Sequence, residues 1–125
     1  MSQLPGARSA LVPPDKITGY LLSTSSRKGA PKARFFYQHG FDRENWQALA
    51  EALREHALHA RVYRQWADKF GQRFDAVGPL TTPSGRTIII VTGWIIGQGS
   101  SDPRLITAYG AEKNRIDWFK SEAEV

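Results

Sequence analysis

Thr107 and Tyr109 stand two residues apart in the segment Arg104-Leu-Ile-Thr107-Ala-Tyr109. In a regular strand that spacing puts both hydroxyls on one face. Hydroxyls beside cations suit metal-independent RNA cleavage. There the ribose 2′-hydroxyl attacks the adjacent phosphate, and donors or cations stabilise the developing charge. Arg104 points to the opposite face of a regular strand, so it joins the hydroxyls only if a bulge or strand end turns it. The plainer reading of these residues is the polar outer edge of a sheet. His39 is a second candidate, because imidazole is the side chain suited to general base work near neutral pH. It closes a segment that carries Lys32 and Arg34 and is followed by Gly40. A histidine at a helix end is equally well explained by the helix dipole.

The stretch Arg27-Lys28-Gly-Ala-Pro-Lys32-Ala-Arg34 holds four cations and no acid. Seventeen Lys and Arg oppose twelve Asp and Glu, a net charge of +5, and eleven of the seventeen are Arg. Arginine makes bidentate phosphate contacts, so the balance favours an anionic partner, most commonly nucleic acid. The alternative is a solvated basic face that only aids solubility. Other signals are weaker. His56 and His59 share a helix face, but no third ligand lies nearby in sequence, and no metal site or cofactor is expected. The glycine-rich loop at 97–102 leads into a strand rather than a helix, which makes it a poor phosphate cradle. No Walker lysine, dinucleotide fingerprint or nucleophile elbow occurs. Trp46, Trp66, Trp94 and Trp118 offer stacking surface, but most sit in patterns that bury them.

These residues need elements to position them. A chain of 125 residues fits one domain with one core. It contains no cysteine, so disulfides and thiolate ligands are excluded. The opening residues lack the apolar core of a signal peptide, and no apolar run could span a bilayer, so a cytoplasmic location without membrane contact is the default. Residues 1–14, with three prolines, read as an extended arm, 15–119 as a single domain and 120–125 as a tail. Asp15 looks like an N-cap for a short helix to about residue 23. A second helix runs from Pro31 to Gly40. A third follows Asp42, with Trp46, Leu49, Ala50, Leu53 and Ala57 at helical spacing.

Past residue 59 the period changes to two. Val62, Arg64 and Trp66 alternate with Arg61, Tyr63 and Gln65. Strands over about 72–80, 86–96 and 104–109 follow, the second apolar on both faces and therefore central. A short helix is expected around Ile116, Trp118 and Phe119. Helices followed by strands predict an α+β fold, about three N-terminal helices packed on a four-stranded antiparallel meander.

Several spaced motifs carry a resemblance. Lys16-Ile-x-x-Tyr20-Leu21-Leu22, Gly29-x-x-Lys32-Ala33-x-x-Phe36 and Gly40-Phe41 recur with Phe70-Gly71, Gly85-Arg86, Trp94-Ile95-Ile96 and Pro103-Arg104-Leu105-x-Thr107-Ala108-Tyr109. Together they resemble an uncharacterised bacterial domain family, over about residues 15 to 109. Its members look like small stand-alone proteins or C-terminal modules of large secreted proteins, where toxin domains reside. The element order is also similar to the barnase–EndoU–colicin–RelE group of toxin ribonucleases. That likeness implies an active site on the sheet, with His39, Thr107 and Tyr109 as catalytic candidates. It adds Lys16 and Arg104 to Arg27, Lys28, Lys32 and Arg34 as phosphate contacts. It implies RNA, with tRNA as one candidate, as substrate, and an immunity or antitoxin protein as partner. The chain departs from the best-known members in lacking a paired-His or Glu–Arg–His set. The alternative is a non-catalytic module that binds nucleic acid or protein through its basic 27–34 loop.

Overall fold

Helical spacing up to residue 59 and strand spacing after it produce an α+β architecture in the computed structural model, which describes residues 2–123. Pro14–Lys16 (α1) runs directly into a π turn, Ile17–Leu21, and helices Ala30–Gln38 (α2) and Trp46–His59 (α3) follow. Four strands come next: Arg61–Asp68 (β2), Gly71–Thr81 (β3), Thr87–Gly97 (β4) and Arg104–Gly110 (β5). The expected four-strand meander gains a fifth member, because Ser2–Gln3 (β1) pairs antiparallel with β2. A fourth helix, Lys113–Ala123 (α4), closes the described chain. All five strands are antiparallel, in the order β1-β2-β3-β4-β5.

The segment before α1 packs inward, with Leu4, Ala10 and Val12 buried. The α3 stripe is buried as Leu49, Ala50, Leu53 and Ala57, joined by His56. Asp42 does not cap α3. Its carboxylate accepts the Glu44 N–H at 2.8 Å, a side-chain turn that competes with a cap, and the helix starts at Trp46. α3 covers the inner face of the sheet, where Phe74, Ala76, Leu80, Ile90, Trp94, Leu105 and Ala108 are buried.

Two bulges decide what lies on the other face. Val62 pairs with Ala76 and Arg64 with Asp75, so Tyr63 is an extra residue. The regular alternation expected for β2 therefore breaks. Val62 faces inward, while Arg64 shares the outer face with Asp75 and Trp66 with Arg73. On β5, Leu105 pairs with Trp94 and Thr107 with Gly93, which leaves Ile106 as the bulge. Leu105 and Ala108 thus both point inward, while Thr107 and Tyr109 point out. Helix α4 packs on the outer face against β3, where Val77 and Val91 are also buried.

Candidate functional site

β5 is an edge strand, and α1, its π turn and α2 wrap around that edge. Gly29 makes the wrap close: a Cβ there would collide with the Tyr20 carbonyl. Tyr20 reaches over the edge, and its hydroxyl lies 3.0 Å from the Thr107 hydroxyl. Two ammonium groups flank it. Lys16 Nζ stands 5.3 Å from the Tyr20 ring centroid and Lys32 Nζ 5.5 Å from it. Lys32 also lies 5.9 Å from the Tyr109 ring, so one cation bridges the first half of the chain and the last strand. Among the described residues, neither lysine forms a salt bridge. Pro31, Lys32, Phe35, Tyr109, Gly110 and Ala111 border an open hollow of about 510 Å³ there.

The floor beside Thr107 is a row across three strands. Asp75 pairs with Gly93, and Gly93 with Thr107. A Cβ on Gly93 would stand 3.2 Å from Thr107 Cγ2 and 3.5 Å from Asp75 Oδ1, so the glycine leaves a gap between the Thr107 methyl and a carboxylate. Arg64 Nη1 approaches Asp75 Oδ2 at 3.9 Å. Burial lifts the Asp75 carboxyl above the usual carboxylate range, and Arg64 and Arg115 oppose that lift. Tyr63 sits next to Tyr109 with the Arg115 guanidinium 3.7 Å over its ring. Burial first, then Tyr109 and Asp75, push its phenol up to about 12, so it remains a hydrogen-bond donor at physiological pH.

The other sequence candidates sit apart from this cluster. His39 caps the C-terminal end of α2, its ring centroid 4.7 Å from that of Phe35. It lies seven residues beyond Lys32, about 10 Å along the helix axis. Bulging at Ile106 does bring Arg104, opposite Ile95, onto the side of Thr107. Its surroundings are nevertheless Leu11, Val12, Pro13, Pro14 and Arg54, around a separate hollow. Arg27, Lys28 and Arg34 are exposed, and among the described residues they form no salt bridge. His56 and His59 diverge. His59 is exposed beside Glu55 at 3.0 Å, while His56 is fully buried, and desolvation lowers its pKa to about 4. No cluster of three metal-ligating side chains occurs among the described residues.

Site reasoning from sequence missed Tyr20, Tyr63, Asp75, Gly93 and Arg115. Tyr20 carried a signal, since it stands four residues after Lys16, one helical turn along. Tyr63 and Thr107 reach the same face through two bulges, and no residue pattern announces a bulge.

The chain belongs to the family described as domain of unknown function DUF6883, whose model matches residues 3–112. No curated protein matches it. Among solved structures it is similar to a chain of a contact-dependent growth inhibition toxin–immunity protein complex from Klebsiella pneumoniae 342. The TM-score is 0.64 at 15% identity, over 86% of this chain and 97% of that one. That likeness establishes a shared fold.

Proposed function

We propose that this domain is a toxin-type endoribonuclease that cleaves RNA without a metal ion. One observation carries the reading: Lys16 and Lys32 share a water-accessible surface with the hydroxyls of Tyr20, Thr107 and Tyr109. Lys16 and Lys32 hold the scissile phosphate, and the hydroxyls donate to its oxygens as charge builds there. The 2′-oxygen forms its bond to phosphorus while the bond to the 5′-oxygen breaks, leaving a 2′,3′-cyclic phosphate. The 2′-hydroxyl proton is relayed through the Thr107–Tyr20 pair to solvent water, or is taken by His39 if substrate spans the distance from Lys32, and water, or the protonated His39, returns a proton to the 5′-oxygen. Arg104, Arg27, Lys28 and Arg34 contact phosphates further along the strand.

Two further observations support this reading. The complex that the fold resembles pairs a toxin with an immunity protein, and a net charge of +5 suits the partner that meets RNA. A cognate inhibitor, acidic where this surface is basic, is then the expected protein partner. The test is incubation of the purified chain with total tRNA in EDTA. Cleavage that disappears in Lys32→Ala and Thr107→Val is the expected result. A retarded band without cleavage would replace this reading with a non-catalytic binding module, which the exposed cations of 27–34 would serve.

A further inference from the structure

Tyr109 has a second neighbourhood. On its far side from Lys32 the outer face opens into a hollow of about 220 Å³, lined by Tyr63, Val91, Tyr109, Glu112, Asn114 and Arg115. Val91, itself almost fully buried, is the one aliphatic side chain in that lining, and the Tyr63 and Tyr109 rings supply the rest of its apolar surface. Planar groups stand at its wall. The Arg115 guanidinium lies over the Tyr63 ring and 5.9 Å from that of Trp118, and the Trp118 ring meets Tyr63 edge-on at 6.1 Å. The rim is polar and varied. Glu112 accepts hydrogen bonds, Arg115 donates them, and the Asn114 amide does both.

Two tyrosine rings, a guanidinium plane and mixed donors and acceptors at the rim suit one flat heterocycle with a polar edge. A sugar or phosphate alone would use the rim and leave the planar groups without a stacking partner. A paired base could not enter, because its edge is engaged by its partner strand. We infer that this hollow binds a single unstacked nucleobase of single-stranded RNA, next to the phosphate held by Lys16 and Lys32. Placing the phosphate rests on the ribonuclease reading; the base site itself does not. Asn114 and Arg115 belong to α4, so α4 is the element that reads the base, while α1, α2 and β5 hold the backbone.

The test is calorimetric titration of the full chain at low salt with the four ribonucleoside 3′-monophosphates and with ribose 5-phosphate. At least one nucleotide should bind about tenfold tighter than the ribose phosphate, as stacking of one base provides. Arg115→Ala and Asn114→Ala should remove most of that advantage and leave ribose phosphate binding unchanged, whereas Lys32→Ala should weaken all ligands alike. Asn114 is exposed, so its variant carries the test should Arg115→Ala lose α4. Equal binding of nucleotides and ribose phosphate, or an advantage that survives both substitutions, overturns the base site. RNA cleavage with no base advantage would leave the nuclease reading standing alone. A base advantage with no cleavage would do the reverse.

Discussion

One step along β3, β4 and β5 moves from Ala76, Thr92 and Ala108 on the inner face to Asp75, Gly93 and Thr107 on the outer one. Each row carries a threonine, and the two hydroxyls are used differently. On the inner face the Trp94 indole N–H donates to Thr92 Oγ1 at 2.8 Å, and that hydroxyl donates onward to His56 Nε2 at 2.8 Å. His56 Nδ1 then donates to the Pro79 carbonyl at 3.0 Å, which fixes its tautomer. Every side-chain polar atom of that relay is spent on another, and His56, Thr92 and Trp94 are buried, the link to the Pro79 carbonyl being part-buried. On the outer face Thr107 is half-buried, and among the described residues its hydroxyl has Tyr20 as its side-chain hydrogen-bond partner, with two lysines close to that ring and a glycine floor beside it. The same residue type closes a network in one row and leaves capacity for a ligand in the other.

The sharpest way to break the contrast is Thr92→Val. It keeps the shape but strands the Trp94 N–H and His56 Nε2 in the interior, at a cost of about 4 kcal/mol in urea unfolding. Cleavage by the fraction that remains folded should not change. A loss below about 1 kcal/mol would mean that the inner network is no tighter than the outer one.

Acid should attack the inner face next. His56 is neutral in the fold, with a pKa of about 4 against 6.5 when unfolded. Between those values the unfolded chain binds the extra proton, so stability is full above about pH 6.5 and falls as the pH drops toward 4. The loss amounts to about 3 kcal/mol. Chemical denaturation at pH 7.5 and pH 4 measures it, and His56→Gln should flatten the slope. On the outer face Tyr20→Phe removes one partly exposed hydrogen bond. It should cost only about 1 kcal/mol of stability yet lower RNA cleavage about tenfold or more. Were cleavage untouched, the Tyr20–Thr107 contact would be as purely structural as the Thr92 chain.

The inner face was largely legible in the sequence and the outer face was not. Leu49, Ala50, Leu53 and Ala57 announce their stripe by period, and Ile88 to Val91 mark an interior strand, because burial leaves a repeating signature. His56 escaped as a core residue because histidine has no fixed address. Its burial depends on Thr92 and Pro79, which are more than twenty residues away. The outer cluster needed two bulges and a helix that wraps an edge, and each shifts register by a residue or fewer. β1 was missed for a related reason: two residues carry no period at all. Spacing in β5 puts Thr107 and Tyr109 on one face, but nothing in the residue order says that Lys32 lies beside Tyr109 while His39 stacks on Phe35 and Arg104 borders another hollow, because those placements depend on how α2 crosses the sheet edge.

The smallest structural effect should fall on Gly93→Ala, where the two faces can be told apart without touching a polar group. The added methyl projects outward and meets Thr107 Cγ2 at 3.2 Å, a contact that a slight turn of the threonine relieves, so stability should change by about 1 kcal/mol at most. Ligand access should change more, because the methyl fills the gap between Asp75 and Thr107. Phosphate binding at the Lys16–Lys32 seat should then weaken several-fold, with the slope of log affinity against log salt unaltered, since no cation has been removed. Lys16→Ala or Lys32→Ala should instead lower that slope by about 0.7 each on single-stranded RNA. If Gly93→Ala shifted the slope while the lysine variants left it unchanged, the phosphate would lie elsewhere on this surface.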